Sequence, residues 1–344
     1  MSTTQLHTAM QLLEPGAELE AVAVPTGSPG PGQVRVTVHA SGVCGADIGL
    51  VAARSSAYGF PVTPGHEIAG IIAELGDGVE GHAVGDRVAV GWFGGSCGHC
   101  TACRTGDPVH CPERRTPGVS YPGGWAGSIT VPASALAAIP DGLTMAEAAP
   151  FGCAGVTAFN AVRTGHPQPG DLVAVLGIGG VGHMALQFAA RMGYETVAIA
   201  RGDDKEADAR ALGAHHYIDS AREQPGQALR ALGGAALAIS TAASTGPIPE
   251  LVDGLATRGH LTVVGLGGDM SVALRVDRLV MGARTVGGQL TGSTADTEQA
   301  MKFAVDTGIR PRIETVPLTS ALEALRALGE GRPRYRTVLT PDSH

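Results

Sequence analysis

Charge is scarce in this chain. Only 16% of its 344 residues are Asp, Glu, Lys or Arg, and they leave a net charge of -8 at pH 7. A surface with that balance and no local basic patch repels a phosphate backbone, so nucleic acid is excluded as a partner. Long apolar runs are missing too: none approaches the roughly 20 residues of a membrane span, so no membrane association is expected. The opening MSTTQLHTAMQLLEPG has no basic segment leading into an apolar one, so no secretory leader is expected and the protein is read as cytoplasmic. Repeats, heptads and low-complexity tracts are absent from the sequence, which argues against solenoid, coiled-coil and disordered classes.

Glycine, by contrast, is abundant, with 51 residues. These lack the three-residue period of collagen and are interleaved with Val, Ile and Ala, so they point to tight turns and close backbone approaches. A 344-residue chain that is 44% hydrophobic is long enough for two cores.

The chain changes character along its length. From residue 34 to about 140, short strand-like runs (VRVTVHA, EIAGIIAEL, DRVAVGW, GSITVPA) are cut by Gly and Pro clusters, which predicts an irregular β-rich domain. From about 156 to 290, apolar runs (LVAVLG, TVAIAR, LAIST, LTVVGL, TVGGQL) alternate with Ala-rich segments, which predicts β-α repeats around a buried parallel sheet. Two helical stretches (TADTEQAMKFAVDTG, TSALEALRALGEG) and a last strand, YRTVLT, follow. The expected α/β organisation is one domain of residues 1–155 and 291–344, with a second, 156–290, inserted.

The six cysteines, in a reducing compartment, are thiols or metal ligands rather than disulfides. Within CGHCTACRTGDPVHC, Cys97, Cys100, Cys103 and Cys111 follow at spacings x2, x2 and x7. Four thiolates from so short a loop suit a closed tetrahedral zinc of structural role, with iron-sulfur ligation as the rival. A nucleic-acid-binding ribbon also uses four cysteines, but interleaved basic and aromatic residues are lacking here.

In LVAVLGIGGVGHMALQFAARMG an apolar run turns through Gly177, Gly179, Gly180 and Gly182 and continues at helical spacing. Strand, glycine turn and helix together form a dinucleotide cradle: glycine permits the turn and the approach of a pyrophosphate, and the helix N-terminus favours the anion. The next strand, TVAIAR, ends at Ala200, Arg201 and Gly202, where an acid would hold the 2'-hydroxyl of NAD. A small neutral residue followed by Arg201 favours the 2'-phosphate of NADP(H); the alternative is that Arg201 is a solvated surface residue and Asp203 or Asp204 serves the ribose.

The pieces GVCGAD, PGHEIAG, GDRVAV, the four-cysteine lobe, APFGCAGVTAFNA, the glycine turn and RTVLT together resemble the zinc-dependent medium-chain alcohol dehydrogenases across nearly the whole length. The resemblance implies a GroES-like catalytic domain, a Rossmann domain, two zinc ions per subunit (one catalytic, one structural), and hydride transfer between a nicotinamide and a carbonyl or alcohol carbon. The catalytic zinc ligands it implies are Cys44, His66 and Cys153, with Glu67 behind them or as an alternate ligand and Asp47 orienting His66. By the same resemblance Thr157 touches the nicotinamide, Arg336 reaches the pyrophosphate or pairs with Glu67, and Trp92 and Phe93 line the substrate pocket. A small-molecule carbonyl, alcohol or imine is the expected partner, and the expected assembly is a homo-oligomer, dimer or tetramer.

The chain departs from this family in GVCGADIGLV. The family usually carries Ser or Thr two residues after the zinc-binding cysteine and often His five after it, as a relay for the alcohol proton; here these are Ala46 and Gly49. The sequence therefore favours a reductase: of aldehydes with water as relay, or of an iminium or conjugated carbonyl that needs no alkoxide protonation. A noncatalytic zinc and nucleotide-binding protein is the reading from a different class.

Overall fold

The computed structural model describes residues 5–267 and 270–341. The first four residues of the N-terminal stretch and the last three of the outer domain lie outside the described residues. The chain divides into two compact units, residues 1–156 with 291–344 and residues 157–290.

The first unit begins with an antiparallel pair, β1 (Leu6–Leu12) and β2 (Leu19–Pro25). Then come β3 (Gln33–Gly42), β4 (Ile68–Leu75), β5 (Arg87–Val90), β6 (Ser128–Pro132) and β7 (Leu136–Ala138). Along β3 burial alternates, with Val34, Val36 and Val38 inward and Thr37 and His39 outward, the period-two pattern of a sheet packed on one face. Those valines join Ile68, Ile72, Val88, Val90, Ile129 and Val131 in one core.

The second unit contains β8 (Leu172–Leu176), β9 (Glu195–Ala200), β10 (His216–Asp219), β11 (Ala235–Ser240), β12 (Leu255–Val263) and β13 (Thr285–Gly288). All pair in parallel, in the order β10-β9-β8-β11-β12-β13, with helical connections. This is the doubly wound Rossmann order, and the reversal between β8 and β11 is the switch point at which such sheets bind nucleotides. Every residue of β8 is buried, as required of a central parallel strand covered on both faces. β10 has the sequence HYID, too short and too polar to stand out as an apolar run; its pairing with β9 and the burial of Ile218 make it a strand.

The chain then returns to the first unit with the helix Thr294–Thr307, β14 (Ile313–Pro317), the helix Ala321–Gly329 and β15 (Arg336–Thr340). Ser293 and Asp296 box the start of the first helix and Gly308, at φ +75°, ends it. The sheet runs β14-β15-β3-β4-β5-β7, with β6 paired to β3. Pairing with β3 brings Arg336, at the start of β15, into the neighbourhood of the turn that follows β3. Among the described residues no helix is long and apolar enough to cross a membrane.

Candidate metal centres and nucleotide cradle

The turn after β3 is built around one carboxylate. A Cβ on Gly42 would collide with the Glu67 side chain, so glycine here is what lets Glu67 lie against the strand. Cys44 precedes the helix Gly45–Val51, and Asp47 in its first turn turns back to accept the Cys44 N–H at 2.8 Å through Oδ2. The next chain segment is turned by Gly65, whose φ of +101° and contact with Trp125 admit no side chain, and this delivers His66 and Glu67 to the interior. Cys153 follows the short helix Ala149–Gly152, where Gly91 and Gly152 meet backbone to backbone.

These turns bring one ligand atom each from Cys44, His66, Glu67 and Cys153 within 4.8 Å of one another. His66 Nδ1 lies 3.1 Å from Asp47 Oδ1, an ion-pair distance, while its Nε2 is buried without a protein partner. Glu67 Oε1 accepts from Arg336 Nη2 at 2.8 Å and from the Ala154 N–H at 3.3 Å; Oε2 is buried with no partner. Arg336, only 4% exposed, also donates from Nη1 to the Val43 carbonyl at 3.1 Å. Of the two roles implied for Arg336, the pairing with Glu67 is the one present in the structure. Trp92 stands edge-on to His66 with centroids 4.9 Å apart, whereas Phe93 is buried at 5% exposure.

This donor set fits zinc. Zn–S bonds of about 2.3 Å at tetrahedral angles place two sulfurs about 3.8 Å apart, and Cys44 Sγ and Cys153 Sγ are at 4.0 Å. The electrostatics point the same way. A hydrogen bond from Cys153 holds the Cys44 thiol well below its usual range, and that same contact, with burial, pushes Cys153 well above it. Burial pushes Glu67 up to about 8, against the pull of Arg336. Two thiols and a carboxyl thus compete for one cationic neighbour, and a bound divalent cation lets all of them ionise. The orphan Nε2 and Oε2 supply further lone pairs.

The four-cysteine lobe is assembled locally and at the surface. Sγ–Sγ distances are 3.5 Å for Cys100 and Cys103, 3.8 Å for Cys100 and Cys111, and 3.6 Å for Cys97 and Cys111. Backbone N–H groups of Cys97, Cys100 and Cys103 point at Cys111, Cys97 and Cys100 sulfurs at 3.4 to 3.5 Å. Backbone contacts from His99 and Cys100 hold the Cys97 thiol below its usual range, while Cys100 is raised to about 11. All six cysteines are free. Four sulfurs this close suit a single tetrahedral ion; ligands of an iron-sulfur cluster bind different irons and stand farther apart.

In the second unit β8 ends at Leu176 and the glycine turn follows. Gly177 has φ +89°, a Cβ on Gly182 would strike the Gly177 carbonyl, and above Gly179 the space is open. Gly180 completes the turn, and the helix Gly182–Arg191 begins there. An open backbone at a helix N-terminus fits a pyrophosphate. Thr157 is 4% exposed and donates to the Leu290 carbonyl at 3.4 Å. Arg201 is exposed directly after β9, and Asp203 is occupied by Arg222 Nη2 at 3.0 Å. Sequence reasoning missed Tyr217 and Asp219 on β10, which hold the loop after β9: no spacing or motif marks them.

Residues 30–141 match the alcohol dehydrogenase GroES-like domain and residues 180–306 the zinc-binding dehydrogenase domain. The chain is 40% identical over 346 positions to alcohol dehydrogenase patD of Penicillium expansum, covering 99% of this chain and 100% of that one. It is 38% identical over 342 positions to alcohol dehydrogenase notN of Aspergillus sp. (strain MF297-2), again covering 99% and 100%. The crystal structure of CAD from Helicobacter pylori complexed with NADP(H) is similar at a TM-score of 0.87 and 25% identity, covering 98% of this chain and 99% of that one. The chain belongs to the zinc-dependent medium-chain dehydrogenase/reductase family. Its activity is that of an alcohol dehydrogenase, an oxidoreductase.

Proposed function

We propose that this protein is an NADP(H)-dependent reductase of aldehydes or ketones, with one zinc on Cys44, His66 and Cys153 and a second on the four-cysteine lobe. The observation that carries this reading is the buried Cys44, His66, Glu67 and Cys153 cluster, ligand atoms within 4.8 Å, beside a helix with no hydroxyl at 46 and no imidazole at 49. Zinc, when bound, supplies Lewis acidity that polarises a carbonyl. The chain does the rest. Asp47 orients the His66 ring through Nδ1, so that Nε2 is the donor left for the metal. Arg336 holds Glu67 in place, where it stands behind the ligands or replaces one of them. Ala46 and Gly49 transfer no proton, so reduction ends with a proton from water, while oxidation lacks a positioned base.

The proposed cofactor contacts are Gly177, Gly179, Gly180 and Gly182 for the pyrophosphate, Thr157 for the nicotinamide, and Arg201 for the 2'-phosphate. Arg336, 4% exposed and paired with Glu67, is proposed to hold that carboxylate rather than the pyrophosphate. The missing relay also favours a second reading, an iminium or conjugated carbonyl substrate, because neither forms an alkoxide to be protonated at this position. A homo-oligomer is supported by Val276, Val280 and Met281, which stand 68%, 70% and 86% exposed on one short helix. Free cysteines and an acidic surface are consistent with the cytoplasm.

The test is consumption of NADPH and of NADH by the zinc-loaded protein with a panel of aldehydes, ketones and cyclic imines. Reduction of aldehydes or ketones with NADPH preferred is expected. Turnover of imines alone selects the second reading, equal use of both cofactors defeats the NADP(H) assignment, and no turnover with any substrate defeats the enzymatic one.

A further inference from the structure

Gly202 is held from both sides. It takes φ +81°, the left-handed region open to glycine, and lies between Arg201 and the acidic pair Asp203 and Asp204. Its N–H donates to Asp219 Oδ1 at 2.7 Å, and its carbonyl accepts from the Tyr217 hydroxyl at 2.7 Å. Tyr217 and Asp219 stand two residues apart on β10, and so share one face of the strand. Asp219 Oδ1 also takes the Ala221 N–H at 2.9 Å, and its other oxygen lies 3.3 Å from Arg222 Nε. The Asp219 side chain is 10% exposed. Burial pushes the Tyr217 hydroxyl up to about 12, so it remains a donor across the working pH range.

We propose that Tyr217 and Asp219 are positioning residues for cofactor choice: by fixing both polar groups of Gly202 they set the direction in which Arg201 leaves β9, and hence the preference between a 2'-phosphate and a 2'-hydroxyl. This rests on the reading above that Arg201 faces the adenosine ribose. The physical reason is preorganisation. Arg201 has a long, flexible side chain next to a glycine, and ordering that backbone during binding would subtract from the gain of a charge-assisted contact. A loop already held at 202 spends that entropy on folding instead. An unphosphorylated ribose makes no such contact, so its binding is insensitive to the clamp. Arg222, with a side chain 71% exposed, bridges Asp203 and Asp219 and offsets acid near the same place.

Binding alone can decide the matter. Dissociation constants for 2'-phospho-ADP-ribose and for ADP-ribose are measured by calorimetry on the unaltered protein and on Arg201→Ala, Tyr217→Phe, Asp219→Ala and Asp219→Asn. Tyr217→Phe removes only the hydroxyl, and Asp219→Ala removes the acceptor together with its pairing to Arg222; each is expected to weaken the phosphorylated ligand about threefold to tenfold, the size of one hydrogen bond, and the other ligand less than twofold. Asp219→Asn keeps a carbonyl oxygen for both N–H groups and is expected to restore the selectivity. Equal weakening of both ligands would show a merely structural strand, and an unchanged ratio in Tyr217→Phe and Asp219→Ala would overturn the proposal. If the unaltered protein shows no preference and Arg201→Ala changes nothing, the NADP(H) reading itself fails. In that event the clamp has no Arg201 contact to aim and the proposal falls with that reading, whereas a ratio that shifts in Arg201→Ala but not in the clamp variants overturns the proposal alone.

Discussion

The two cysteine sites of the first unit are built in opposite ways. The lobe draws its four sulfurs from residues 97 to 111, leaves three of those cysteines partly exposed, and is closed by N–H groups of its own loop. The other site joins Cys44 and Cys153, 109 positions apart, with His66 and Glu67, and seals them with Arg336 from the last strand. A short loop can organise four equal donors around one ion and leave no position open, which suits structure. Mixed donors set by separate elements, with an orphan nitrogen and an orphan carboxylate oxygen, suit an ion that must also meet a substrate.

The largest expected effects separate the two sites directly. Cys100→Ser should lose one zinc and either lower the thermal midpoint markedly or leave no soluble protein, because structural zinc binding, about 10–16 kcal/mol in isolated peptides, is folding free energy. His66→Ala should also lose one zinc but keep most of the fold, while turnover falls roughly 10³-fold with the lost Lewis acidity, worth several kcal/mol. Metal analysis, thermal melts and kinetics on both variants are the check; the same profile in both would erase the distinction.

Next in size is the missing relay. The Cβ position of Gly49 faces open space, and Ala46 lies exposed one helical turn away, so side chains can be added at both without a clash. Ala46→Ser with Gly49→His should raise alcohol oxidation near neutral pH by about 10²-fold, the lower end of what a positioned acid-base group contributes. Reduction of an iminium should not change. Brisk oxidation by the unaltered protein with no gain in the double variant would mean that another group already moves the proton.

Asp47 offers a smaller effect that sharpens the contrast further, since the lobe has no equivalent. Asp47→Ala removes both the contact with His66 Nδ1 and the acceptor for the Cys44 N–H. Zinc affinity or turnover should fall about 10- to 100-fold, as is typical when the partner of a ligating histidine is lost. Zinc titration would show the loss confined to one of two sites; an unchanged affinity and rate would rule Asp47 out as an orienting group.

The smallest effect lies away from both sites. His260 on β12 bonds Thr285 Oγ1 through Nδ1 at 2.6 Å and has a buried Nε2 without a partner. Burial holds its pKa below the usual 6.5, so the folded state favours the neutral ring and the unfolded state takes up protons first. Stability should therefore be present above about pH 6.5 and decline as the pH falls below it. His260→Gln should flatten this part of the acid slope in thermal melts; an unaltered slope would assign the acid sensitivity to other groups, the metal ligands among them.

Spacing and local pattern alone were enough for the features that depend on nearby residues. The lobe follows from its x2, x2, x7 spacing because fifteen residues cannot keep four thiols apart once one ion binds them. β8, the glycine turn and its helix are legible because an all-buried strand must be apolar and because Gly177 and Gly182 stand where a side chain has no space. Family likeness carried the reading to Cys44, His66 and Cys153, which no local pattern joins. Only tertiary structure decided the rest. β10 is polar and short, and exists because β9 offers it an edge. Arg336 meets Glu67 because β15 pairs beside β3; the family resemblance offered either Glu67 or a pyrophosphate, and RTVLT alone does not choose between them. The hold of Tyr217 and Asp219 on Gly202 arises in the same way: hydrogen bonds across 15 and 17 positions depend on sheet register, and register is set by the packing of the whole unit.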